Sequence, residues 1–191
     1  MLTTFSGRNP SQNEFELTSF IRLLQDRAVR RYLEIGARHG DTFYEVMRGL
    51  PKGSFGLAVD LPGGLWGTNK SEPVIKKVIS ALSDQGYAVE LLFGDSTGRD
   101  VVEKISSYAP FDAILIDGDH TLAGVTKDWC NYRTLAPMVA FHDIVGTGQK
   151  EKVSEQPVEV PVLWNNIKEL LPTVEFIDEG SRMGIGVVFR D

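Results

Sequence analysis

The sequence predicts an α/β fold: a mostly parallel seven-stranded sheet with helices on both faces, closed at its C-terminal end by an antiparallel hairpin. Three observations carry this. Short strand-like runs alternate with stretches whose apolar residues recur at helical spacing. Phe111 to Ile116 is a nearly continuous apolar run, as expected of a strand buried on both faces. The last two strand-like runs are joined by Asp178-Glu-Gly-Ser-Arg182, too short for a helical crossover, so they should pair as a hairpin.

Residues 1 to 13 read as a loose, flexible lead-in. Leu17, Phe20, Ile21 and Leu24 then recur as the apolar stripe of a first helix. Arg31 to Ile35 reads as the first strand and Gly36 to Gly40 as a tight loop. Phe43, Val46, Met47 and Leu50 mark the second helix, broken by Pro51-Lys-Gly53. Phe55 to Asp60 is the second strand, and Leu61 to Gly67 is loop-like in composition. Val74, Ile75, Val78, Ile79 and Leu82 give a third helix, and Val89 to Phe93 a third strand. Val101, Val102 and Ile105 mark a fourth helix before the strand at Phe111 to Ile116. Leu122, Val125 and Trp129 carry the next helix, with Cys130 beside Trp129 read as packing. Met138 to Phe141 is the fifth strand, and Gly146 to Val160 a long polar loop. Pro161 should open the last helix, through Leu163, Ile167, Leu170 and Leu171. Val174 to Ile177 and Gly184 to Phe189 form the closing hairpin. No domain boundary is visible, so residues 1 to 191 are expected to form one domain.

The composition is that of an ordinary soluble protein, with a net charge of −6. That charge argues against a nucleic-acid binder working through a broad basic face. A single cysteine rules out an intramolecular disulfide and a cysteine-rich zinc site. Neither a signal peptide nor a membrane-length apolar run is visible, so no membrane association and a cytoplasmic location are expected.

The chemistry-bearing residues fall at the ends of the strands, where open α/β sheets bind ligands. After the first strand stands Glu34-Ile-Gly-Ala-Arg-His-Gly40, whose glycines let a ligand approach the backbone ahead of a helix N-terminus. It lacks the Gly-x-Gly-x-x-Gly spacing of a dinucleotide site, which disfavours a nicotinamide-dependent oxidoreductase. Asp60 ends the second strand and can accept ribose hydroxyls; an ordinary turn aspartate would look the same. Gly94-Asp95-Ser96 follows the third strand and suits either an adenine edge or a helix cap. Asp117, Asp119 and His120 follow the fourth, with Asp119 open to reading as cap or ligand. His142 and Asp143 follow the fifth.

Taken together, Glu34-Ile-Gly36 through Gly40, Asp60, Gly94-Asp95-Ser96 and Ile116-Asp117-Gly-Asp-His120 resemble class I S-adenosylmethionine-dependent methyltransferases. Within these they are similar to the metal-dependent small-molecule O-methyltransferases and the bacterial "methyltransferase 24" group. The resemblance covers roughly Tyr32 to Phe189 and implies a Rossmann-like sheet with a reversed seventh strand. It further implies that Gly36, Ala37, Arg38, His39, Gly40 and Thr42 hold the methionine end of S-adenosylmethionine, with Glu34 supporting the loop. Asp60 with Leu61 would bind ribose, Gly94, Asp95 and Ser96 would face adenine, and Asp117 would border the cofactor.

By the same resemblance, Asp117, His142 and Asp143 match the positions that hold a divalent cation, magnesium or manganese. A cation there would lower the pKa of a hydroxyl acceptor and orient it. His142 departs from an all-oxygen ligand set and would favour manganese or another transition ion, or would not ligate at all. His120 stands where the relatives place a catalytic lysine, and is the expected general base. The acceptor would be a small hydroxylated molecule, selected by the loops Leu61 to Lys70, with Trp66, and Gly146 to Val160. The short N-terminal segment implies a pocket that is open, or completed by a second copy in a homo-oligomer. Three alternatives stand beside this reading: a metal-independent methyltransferase with His120 alone as base, acting on oxygen or on nitrogen, a hydroxylase-like relative, and a non-catalytic nucleoside-binding module.

Overall fold

The computed structural model describes residues 12–64, 71–146 and 156–190. Helix α1 (Glu14–Asp26) leads into strand β1 (Arg31–Ile35), followed by α2 (Asp41–Gly49), β2 (Phe55–Asp60), α3 (Ser71–Asp84) and β3 (Ala88–Phe93). The second half runs α4 (Arg99–Ser106), β4 (Ala113–Ile116), α5 (Leu122–Tyr132), β5 (Met138–His142), α6 (Val160–Lys168), β6 (Thr173–Phe176) and β7 (Ile185–Phe189). The seven strands form one sheet in the order β3-β2-β1-β4-β5-β7-β6. The first five are parallel, and β7 runs antiparallel to both β5 and β6, as the short final connection requires.

Alternation along the strands sends side chains into two layers. Tyr32, Ala113 and Leu115 face Leu17, Phe20 and Leu24 of α1, Phe43 and Met47 of α2, and Ile75 and Val78 of α3. Leu33, Ile35, Ile114 and Ile116 face Ile105 of α4, Val125 and Trp129 of α5, and Trp164 and Ile167 of α6. Both faces of the sheet are therefore covered, which is why the central strands carry no polar alternation.

The structure refines several boundaries. Strand β4 starts at Ala113, not Phe111, because the Asp112 carboxylate turns aside to accept the Arg30 and Arg31 N–H groups at 2.8 and 2.9 Å. Helix α6 begins at Val160, with Pro161 inside its first turn, where a missing N–H costs nothing. Strand β6 ends at Phe176, leaving Ile177 exposed. Cys130 is exposed and does not pack in the core. The lead-in expected to reach residue 13 ends sooner: Gln12 is buried, and the Asn13 side chain caps α1 by accepting the Phe15 N–H at 2.8 Å.

Glu16 looks like a surface position of α1 yet is fully buried. Its two carboxylate oxygens accept the backbone N–H groups of Asp178 and Gly184, at 3.1 and 3.0 Å. This clamps the start of α1 to the β6–β7 turn, and Asn13 adds a bond to Asp178 at 3.0 Å. Among the described residues, no helix is long and apolar enough to cross a membrane.

Candidate active site

The direction of the sheet order reverses between β1 and β4, and a cavity of about 860 Å³ opens at the strand ends there. Residues following β1 to β5 all line it, and so do all three histidines of the chain, His39, His120 and His142.

The floor begins with the loop after β1. Gly36 has φ +88°, and a Cβ on it would lie 2.1 Å from the Asp117 carbonyl oxygen, so only glycine lets the β1 and β4 loops cross. The N–H groups of Gly36 and Ala37 both donate to Val59 O, at 2.9 and 3.0 Å. The Arg38 N–H donates to Asp60 Oδ1 at 2.9 Å. The other Asp60 oxygen, Oδ2, is buried and makes no hydrogen bond of good geometry among the described residues. Burial raises this carboxyl above its ordinary range, opposed by Arg38, the Ser71 hydroxyl and the Leu61 backbone. Beneath the loop, Tyr32 donates its hydroxyl proton to Glu34 Oε2 at 2.7 Å. Burial pushes Glu34 up to about 8, so this acid is neutral near pH 7. His39, Gly94 and the half-exposed Leu61 also line the cavity. Gly40 enters α2 at φ +81°, and Asp41 and Thr42 of its first turn line the cavity as well.

After β3, Asp95 Oδ1 accepts both the Thr97 N–H, at 2.8 Å, and the Thr97 hydroxyl, at 2.9 Å. Neither Asp95 nor Ser96 caps α4; that position is Gly98. The Ser96 hydroxyl instead donates to Asp128 Oδ1 at 2.7 Å, and Tyr132 donates its hydroxyl to the Ser96 carbonyl. Asp119 is not the cap of α5 either: it accepts the Thr121 N–H at 2.9 Å, and Thr121 is the N-cap.

The polar groups after β4 and β5 converge. Asp117 Oδ1 lies 3.1 Å from His142 Nδ1 and 3.3 Å from His120 Nε2. His120 Nδ1 lies 3.4 Å from Asp143 Oδ2, and His142 Nδ1 lies 3.5 Å from Asp143 Oδ1. Asp143 holds φ +60°, a left-handed conformation in which it still faces both rings. Burial works to raise the Asp117 carboxyl, but the imidazoles of His142 and His120 overcome it and hold the group well below the usual carboxylate range. Burial works against charge on His142 too, yet Asp117 and Asp143 raise it to about 9. His120 is raised as well: burial opposes it, and its contact with Asp117 prevails.

Ligand atoms of Asp117, His120 and Asp143 lie within 4.8 Å of one another, a spacing one cation could bridge. The histidine in that set is His120, the expected base; His142, the expected ligand, turns its Nδ1 to Asp117 and Asp143, and its Nε2 is buried and unbonded among the described residues.

Two groups escaped the sequence. Gln12 donates its amide to Asp117 Oδ2 at 2.8 Å and accepts the Thr42 hydroxyl, so it links the two halves of the cavity. Asp128 is fully buried behind Ser96, where burial pushes its carboxyl up to about 7. Trp66 and most of the loops expected to select the acceptor, 65–70 and 147–155, lie outside the described residues.

No family model and no curated protein matches the sequence. Solved structures do match in fold. An O-methyltransferase from Bacillus cereus, in complex with SAH, is 19% identical with a TM-score of 0.68, covering 95% of this chain and 84% of its own. The O-methyltransferase TomG from Streptomyces achromogenes, involved in tomaymycin synthesis and in complex with SAM, is 16% identical with a TM-score of 0.67, covering 94% and 81%. Cofactor-bound Rv0187 from MTB is 15% identical with a TM-score of 0.68, covering 96% and 84%. With its reversal between β1 and β4 and its inserted antiparallel β7, the chain has the Rossmann-like fold of these solved methyltransferases.

Proposed function

We propose that this chain is an S-adenosylmethionine-dependent O-methyltransferase acting on a hydroxyl of a small-molecule acceptor. The observation that carries the reading is the buried Asp60 carboxylate beside a crossed glycine loop, whose Oδ2 makes no hydrogen bond of good geometry among the described residues. A buried acceptor without a donor is costly, and a ribose hydroxyl would satisfy it. Thr42, Arg38, Asp95 and Ser96 line the same cavity as Asp60; in this reading the first two would take the methionine end of the cofactor and the last two its nucleobase. Two of the structural neighbours carry SAH and SAM, which supports this class of cofactor.

The donor set of Asp117, His120 and Asp143 fits a divalent transition ion such as manganese better than magnesium, because it includes an imidazole. Such an ion, when bound, would acidify and orient the acceptor hydroxyl. In this arrangement Asp117 and Asp143 supply the negative charge, Gln12 holds the second Asp117 oxygen, and cationic His142 keeps Asp117 ionised. A second reading drops the metal and makes His120 the general base. It is favoured by the contacts of His120 with two carboxylates, Asp117 at 3.3 Å and Asp143 at 3.4 Å, which would stabilise the imidazolium formed when the neutral ring takes the acceptor's proton. Turnover that survives chelation selects the second reading.

The test is isothermal titration of chelator-stripped protein with S-adenosylhomocysteine, with and without manganese, followed by an acceptor screen read by product mass. Binding and a gain of one methylene support the proposal. A gain of one oxygen would identify a hydroxylase-like relative, and failure to bind the nucleoside would remove the methyltransferase reading altogether.

A further inference from the structure

Asp128 is a titratable side chain buried on α5, and the methyl-transfer chemistry does not use it. Its Oδ1 takes the Ser96 hydroxyl proton at 2.7 Å, while its Oδ2 has no hydrogen-bond partner among the described residues. One helical turn on, Tyr132 donates to the Ser96 carbonyl. The pair at i and i+4 thus grips one loop residue by its side chain and its backbone. No basic side chain is bonded to Asp128 among the described residues, and the carboxylates of Asp95 and Asp119 make its charge less favourable still. Holding a serine in place does not require a carboxylate, since an asparagine of the same shape would span the same gap. What a carboxylate adds is direction: once ionised it can only accept, so the hydroxyl proton must point at it.

We infer that Asp128 is a positioning residue that sets the hydrogen-bonding polarity of Ser96, so that the Ser96 hydroxyl oxygen meets the nucleobase as an acceptor. The inference rests on the nucleoside reading of the site given above. With its proton committed to Asp128, the Ser96 oxygen keeps only lone pairs for a ligand. Asp95, beside it on the cavity wall, is a second acceptor. Two neighbouring acceptors suit a base edge that presents an amino group, as a 6-aminopurine does, and repel the carbonyl of a 6-oxopurine. The specificity then comes from a repulsive mismatch as much as from an attraction.

The test compares S-adenosylhomocysteine with S-inosylhomocysteine, in which an oxo group replaces the amino group, by titration calorimetry at pH 8.5. That pH lies above the value of about 7 to which burial pushes Asp128, so the carboxylate is ionised. In D128N the amide can donate to Ser96 and release the hydroxyl proton toward the ligand. The preference for the amino compound should narrow by about tenfold, the worth of one mismatched hydrogen bond. In an S96A background the same substitution should leave the preference unchanged. If D128N weakens both ligands equally, or still narrows the preference without Ser96, Asp128 has only a structural role and the inference falls. Wild-type protein that binds neither compound would overturn the functional reading, and this inference with it. Wild-type binding with an equal loss in D128N overturns this inference alone.

Discussion

Replacing Glu34 by glutamine tests whether the glycine loop after β1 rests on a neutral acid. Glu34 is fully buried, bonded to the Tyr32 hydroxyl, and raised from 4.5 to about 8. In the unfolded chain it ionises near its ordinary value; in the folded protein it keeps its proton. Between those two values the folded state binds more protons than the unfolded one, so stability falls as pH rises. Each pH unit costs up to about 1.4 kcal/mol, and by pH 7 the loss from this group reaches about 3 kcal/mol. Glutamine keeps an acceptor for Tyr32 and carries no charge. The difference in stability between E34Q and wild type should therefore grow in favour of the variant from pH 5 to pH 8, then level off. Urea denaturation of ligand-free, chelator-treated protein at pH 5, 6, 7, 8 and 9 measures it. Parallel curves across the whole range would mean that Glu34 ionises normally, and the account of the loop would be wrong.

Three further outcomes are expected. Asp117→Asn removes the main anionic partner of His142, so the His142 pKa, followed by NMR, should drop from about 9, and turnover should fall at least a hundredfold. Asp60→Ala should weaken S-adenosylhomocysteine binding by at least tenfold while leaving manganese affinity unchanged in calorimetry, because Asp60 stands apart from the Asp117, His120 and Asp143 cluster. Glu16→Ala frees two backbone donors of the β6–β7 region and should cost about 3 kcal/mol in urea unfolding, roughly two hydrogen bonds to a charged group.

The sequence makes the sheet legible because its central strands are apolar on both faces and end abruptly in single polar groups. Asp60, Asp117 and His142 stand out for that reason, and the structure sets each at the cavity wall. Side-chain direction is what periodicity does not encode. His120 and His142 both follow strands in the sequence, and only the structure shows that both rings turn toward Asp117 and Asp143. Asp128 precedes Trp129 in a helix and reads as a solvent position; its burial follows from the β3 loop folding over α5. Glu16 misleads in the same way, since the donors it satisfies lie 162 and 168 residues away in the chain. Gln12 sits in a polar stretch without period, and nothing local distinguishes it from a tail.

The place of β7 has a consequence for how the protein matures on the ribosome. It precedes nothing in the sheet's construction, yet it lies between β5 and β6. Strand β6 emerges earlier but has no neighbour to pair with until β7 arrives, and until then β5 presents a bare edge. His142 at the end of β5 is held in register by Ile185, the first residue of that late strand. A nascent chain that has released α6 therefore carries most of the cavity's residues without the strand that aligns them. The edge of β5, with His142 at its end, is therefore covered only once Ile185 to Phe189 is delivered.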